Sequence, residues 1–133
     1  MRVRLVLPVA VLCYSVPRLL SAQDAVKVDP KHYTVISEND QVRILKIHYG
    51  AHEKSVMHSH PATVAVFLTD AKGQFNLPDG KTQPFDVKAG SAQYAAAGVH
   101  LPENTGDASM DVILVELKGR AAAPKPPASG AKK

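Results

Sequence analysis

Met57-His58-Ser59-His60-Pro61-Ala62-Thr63-Val64 sets two histidines one residue apart at the border between a polar loop and an apolar run. Side chains of an extended segment alternate between faces, so His58 and His60 point the same way. Two imidazoles on one face can grip a single metal ion. A third, His100, lies further on between Gly98 and Asn104 and is the candidate that folds back to join them. If the strand direction survives Pro61, the shared face continues through Ala62, Val64, Val66 and Leu68. The ion would then sit at the mouth of an apolar cavity, the usual character of a small-molecule site.

On either side of this stretch the chain reads as short β-type runs separated by turn residues, the spacing of a sandwich or barrel. Strands are predicted at His32 to Ile36, Val42 to Tyr49, Ser55 to His60, Thr63 to Thr69, Gln74 to Leu77, Thr82 to Val87, Ser91 to Ala95 and Met110 to Leu117. Pro78-Asp79-Gly80 is a turn with a mechanism, because proline presets its own φ and glycine accepts a positive one. No helical periodicity longer than two turns competes with this reading. The predicted class is all-β.

The ends differ from the middle. Arg2 and Arg4 precede an apolar stretch from Leu5 to Val16, and Ser21-Ala22 offers small residues for cleavage, so residues 1–22 read as a secretory signal peptide. The run is shorter than the roughly 18–20 residues of a membrane span, so no stable span is expected and the protein is predicted to be periplasmic or secreted. Residues 119–133, rich in Pro, Ala and Lys, read as a disordered tail. Cys13 is the only cysteine and lies in the leader, so the mature chain is expected to use no disulfide, thiolate ligand or cysteine nucleophile.

Residues 23–118 remain as one domain. The formal net charge of +4 belongs to the ends, since Gln23 to Lys118 holds nine Lys/Arg and twelve Asp/Glu. A mildly acidic domain without a basic stripe argues against nucleic-acid binding. A Gly-rich phosphate loop, a Ser-His-Asp order and a Gly-x-Ser-x-Gly elbow are all missing from the sequence.

Two stretches resemble the paired motifs of the cupins, small double-stranded β-helix (jelly-roll) barrels. The first runs Gly50-Ala-His-Glu-Lys-Ser-Val-Met-His58-Ser-His60-Pro-Ala-Thr-Val64 and ends near Gly73. The second runs Gly90-Ser-Ala-Gln-Tyr-Ala-Ala96-Ala-Gly98-Val-His100-Leu-Pro-Glu-Asn104. The resemblance spans about Tyr33 to Leu117 and implies a cupin barrel whose metal ligands are His58, His60 and His100. It departs at the family's glutamate ligand, which falls at Val64 or at Ala65, and at the motif's proline, replaced by Ala96.

Three neutral imidazoles leave a divalent ion's charge uncompensated in apolar surroundings, which favours an anionic small-molecule ligand in the open positions. Three protein ligands and an open position also describe catalytic rather than structural metal sites. Imidazole suits several ions, so Fe, Cu, Zn, Mn and Ni all stay open. The resemblance implies two functions: a metal-dependent oxidoreductase, by preference an iron- or copper-dependent dioxygenase, or a non-catalytic module that binds a metabolite or metal. It also implies a homodimer joined through the sheets.

Other polar residues have plainer expected roles. His52 and Glu53 read as solvent-facing loop residues, with a supporting bond or substitute ligation as the alternative. Glu103 reads as a surface turn residue, with a catalytic base as the alternative. Tyr94 and Gln74 fall on strands where they face either cavity or solvent. His32 and His48 are expected to be structural.

Overall fold

The structure is a computed structural model and describes residues 23–119. The predicted leader and all but the first residue of the predicted tail lie outside the described residues. A single helical turn, α1 (Ala25–Val28), precedes nine strands: β1 (Tyr33–Glu38), β2 (Val42–Tyr49), β3 (His58–His60), β4 (Thr63–Phe67), β5 (Ala71–Asn76), β6 (Thr82–Val87), β7 (Ala92–Ala95), β8 (Gly98–Asn104) and β9 (Met110–Leu117). They form a five-stranded sheet ordered β1-β2-β9-β4-β7 and a four-stranded sheet ordered β3-β8-β5-β6. Every strand pairing within these sheets is antiparallel.

The core is written in period-two alternation. On β9, Met110, Val112, Leu114 and Glu116 are buried while the residues between them are half-buried. On β2, Leu45, Ile47 and Tyr49 face the same interior. Fully burying one such apolar side chain contributes about 1.5–3 kcal/mol, so these two adjacent strands supply much of what holds the sheets together. Glu116 is the anomaly, a carboxylate placed where the alternation demands an apolar group.

Two glycines serve geometry. Gly80 has φ of 82° and closes the predicted turn, where its N–H donates to the Leu77 carbonyl at 3.0 Å. Gly73 lies opposite Phe85 in the β5–β6 register, and a Cβ there would come within 2.5 Å of the Phe85 ring and 2.4 Å of the Glu103 carbonyl. The glycine that ends the first motif thus lets an aromatic ring lie flat across the sheet's inner face.

Two expectations need correction. The strand direction does not survive Pro61: the chain bends at Pro61-Ala62, β3 joins the four-stranded sheet and β4 the five-stranded one. The bend resets the parity, so Thr63, Ala65 and Phe67 line the interior, and Val64 pairs with Val115 and Tyr94 on the other face. His100 lies within β8, a strand absent from the sequence reading, which passed from Ser91–Ala95 directly to Met110–Leu117. Among the described residues no helix is long and apolar enough to cross a membrane.

Candidate metal centre

β3 and β8 pair so that His58 stands directly opposite His100, and His60 follows two residues along on the same face. The three rings converge, with centroids 4.8 Å apart for His58 and His60, 5.2 Å for His58 and His100, and 5.4 Å for His60 and His100. One ring nitrogen from each lies within 4.8 Å of the others. A tetrahedral ion with bonds of about 2.0–2.1 Å needs nitrogens roughly 3.3 Å apart, a contraction that small side-chain rotations supply.

The backs of two rings are fixed. His58 is fully buried, and its Nδ1–H donates to the Val56 carbonyl at 2.8 Å, with the Ser55 hydroxyl at 3.3 Å sharing it. Ser55 donates in turn to the buried Asp29 at 2.5 Å. His60 Nδ1–H donates to Glu116 Oε1 at 2.6 Å, while Arg43 Nε donates to Glu116 Oε2 at 2.5 Å and its Nη2 pairs with Asp24. These bonds place the proton on Nδ1 of both rings and leave Nε2 with its lone pair toward the centre. Metal-ligating histidines are oriented in this way, and the donor set fits a divalent ion of the imidazole-accepting kind.

His100 is held differently. Its ring stacks on Phe75 with centroids 4.7 Å apart and planes 5° from parallel. Tyr33 closes the centre from β1: its hydroxyl donates to His58 Nε2 at 3.1 Å, using the lone pair that a bound ion would take in its place, and accepts from the Tyr49 hydroxyl at 2.8 Å. Tyr49 in turn stacks on His32 at 4.3 Å, and His32 is clamped between Asp29 and Glu53.

Burial sets the charge states. Desolvation, aided by neighbouring His60, lowers His58 to about 4, and desolvation with both other histidines lowers His100 to about 3. Both rings are therefore neutral ligands in ordinary conditions. Burial raises the Tyr33 phenol well above its usual value and pushes Tyr49 up to about 12, so both hydroxyls keep their protons. Burial also raises Glu116, but the hydrogen bonds from His60 and Arg43 outweigh it and hold the carboxyl below its ordinary value.

Beside the histidines opens a cavity of about 130 Å³. Phe67, Phe75, Phe85, Val112 and Leu114 wall it, and none of its lining side chains is a lysine, an arginine or a carboxylate. Of the two positions where the family's glutamate falls, Ala65 lines this cavity and Val64 does not.

The three histidines singled out in sequence are brought together. Glu103 ends β8, where it accepts from Gln74 at 3.1 Å and Asn76 at 3.3 Å, so it takes no part in the centre. Tyr94 is 67% exposed and contributes to the cavity's lining. His52 is exposed and bonds Asp107, and Glu53 braces His32 and the Gly50 N–H rather than ligating. Asn104 of the second motif is structural, its amide donating to the carbonyls of Gly50 at 2.9 Å and Ala108 at 2.8 Å. Tyr33, Tyr49 and Glu116 were missed. For Glu116 the signal was present in the sequence: an acid at the inward parity of an otherwise apolar strand.

No protein-family model and no curated protein matches the chain. Solved structures do. A cupin-domain protein from Bordetella pertussis Tohama I superposes with a TM-score of 0.61 at 20% identity over 65% of this chain and 92% of that one. A conserved protein with a double-stranded β-helix domain from Klebsiella pneumoniae gives 0.54 at 20% identity over 67% and 77%. The polyketide cyclase RemF from Streptomyces resistomycificus gives 0.51 at 15% identity over 67% and 66%. Strand order, two facing antiparallel sheets and these superpositions agree: the chain has the cupin fold, a double-stranded β-helix.

Proposed function

We propose that His58, His60 and His100 hold one divalent metal ion and that the barrel presents it to a small-molecule ligand. The observation that carries this reading is the convergence of three imidazole rings to within 4.8 Å, two of them buried and oriented from behind. When bound, the ion supplies Lewis-acid or redox chemistry. The chain's own residues hold the rings, exclude water through the apolar walls and keep the Tyr33 hydroxyl, braced by Tyr49, protonated beside the centre, where it turns to a ligand once an ion takes His58 Nε2. The finer reading is a dioxygenase-like oxidoreductase, exported by the leader in residues 1–22.

A binding module is the second reading, favoured by one observation: the ionisable groups facing the centre beside the histidines are two phenols whose protons burial retains. Neither is a ready general base at neutral pH. Glu116 adds negative charge near the ion, but Arg43 already shares it. An external anion therefore still suits the centre.

Metal content of the untagged protein, set against a His58→Ala/His60→Ala variant, tests the site. The wild type should retain close to one ion per chain and the variant none; equal content would overturn the proposal. Oxygen uptake with small diketones, thiols and phenols then separates enzyme from binder.

A further inference from the structure

The cavity beside the histidines is mostly apolar and carries no lysine, arginine or carboxylate side chain. His60, His100, Tyr33 and Tyr49 line it at the metal centre, Phe67, Phe75, Phe85, Ala65 and Val112 form its apolar walls, and Thr63, Gln93 and Tyr94 add neutral polar groups. Its volume of about 130 Å³ is close to that of an engineered apolar cavity of roughly 150 Å³ that admits benzene. Phe75 and Phe85 stand 4.9 Å apart in a tilted pair, in contact with each other, and Phe75 also stacks on His100, so the two rings border the space as one aromatic wall. An aromatic guest finds favourable offset and edge contacts there.

The walls also say what does not fit. Without a lysine or arginine among the lining side chains, a carboxylate or phosphate on the far side of the ligand would be buried unpaired, at a cost of several kcal/mol. Charge is welcome only at the histidine end. One oxygen bearing at most one negative charge matches an ion held by three neutral rings.

We infer that this cavity takes a monocyclic phenol, its benzene-sized ring packed against the contacting Phe75–Phe85 pair and its single oxygen directed at the histidines and Tyr33. The destination of the oxygen rests on the metal reading above; the ring pocket stands without it. Phenolic compounds with a second ring or a charged arm exceed the volume or the polarity of the walls.

The full chain, zinc-loaded and chelator-stripped, is titrated with phenol (ring and oxygen), toluene (ring only) and acetate (oxygen only), followed by calorimetry and the methyl resonances of Met110 and Ala65. In the zinc form phenol should bind at least tenfold tighter than acetate, and toluene should bind both forms alike. Ala65→Leu, which fills the cavity, should weaken phenol and toluene at least tenfold with zinc content unchanged. Phe85→Ala, which enlarges it, should reverse the preference from phenol to 2-naphthol, and this arm decides if the leucine variant fails to fold. Acetate binding as tightly as phenol would overturn the inference, as would phenol binding indifferent to both variants. Failure of the metal reading is read separately, from unchanged metal in the histidine variants, and toluene binding still decides the ring pocket in that case.

Discussion

His58 and His60 approach the centre from β3 with polar chains at their backs, Val56 and Ser55-Asp29 behind one and Glu116-Arg43-Asp24 behind the other. His100 approaches from β8 with the flat face of Phe75 against it. The β3 side fixes tautomer as well as direction, because a hydrogen bond to Nδ1 decides which nitrogen is free. The β8 side fixes only the plane of the ring. Polar anchoring thus concentrates where the chain crosses between the sheets, at Pro61, and dispersion suffices where a regular strand already aims the side chain.

Breaking the β3 side should have the largest effect. Glu116→Ala leaves Arg43 half-paired in the interior and frees His60 to rotate. Unfolding by urea should show a loss of about 3–5 kcal/mol, the scale for removing one partner of a buried pair. Glu116→Gln keeps the shape and lowers metal affinity by about 10–100-fold, measured by competition with a chromophoric chelator. If affinity is unchanged, the anchoring of His60 has no bearing on the ion.

Acid treats the two sides alike and so tests whether burial or anchoring governs the rings. In the metal-free protein His58 and His100 stay neutral down to about 4 and about 3, while the unfolded chain takes up protons near 6.5. Between these limits the unfolded state binds more protons, so stability falls as pH falls, by about 1.4 kcal/mol per pH unit for each ring. The loss begins below about pH 6.5 and levels off once the folded rings protonate. Histidine proton resonances followed from pH 7 to 4 should show neither ring titrating before pH 5, and a midpoint near 6 for either would contradict the burial argument.

The β8 side should yield more gently. Phe75→Leu keeps an apolar neighbour but loses the stack, a cost of about 1 kcal/mol, with a shift of the His100 resonances and little change at His58. Smallest of all is Ser55→Ala. His58 keeps the stronger bond to the Val56 carbonyl, so metal affinity should change less than threefold and stability by about 1 kcal/mol.

Much of this arrangement was legible in the residues. His58-Ser-His60 and His100 announce a shared face and a third partner, and β2, β6 and β9 were read with the bounds they have. What stayed hidden depends on sheet order rather than local pattern. Glu116 reaches His60 only because β9 lies beside β4 in one sheet while β3 lies in the other. Tyr33 and Tyr49 face the centre because β1 and β2 continue that same sheet, and a single strand's alternation shows a face without saying what stands across from it. Pro61 misled for a related reason: a bend of two residues moves the chain between layers and restarts the parity count.

The place of β9 also carries a consequence for synthesis. It follows every other described strand in the chain, yet it is hydrogen-bonded between β2 and β4. During translation at about 5–20 residues per second, roughly 3–12 s separate the emergence of His58 from that of Glu116. Until then β2 and β4 lack the strand that pairs with both, and His60 has no carboxylate behind it. The carboxylate that fixes the His60 ring is therefore put in place only when the last strand inserts.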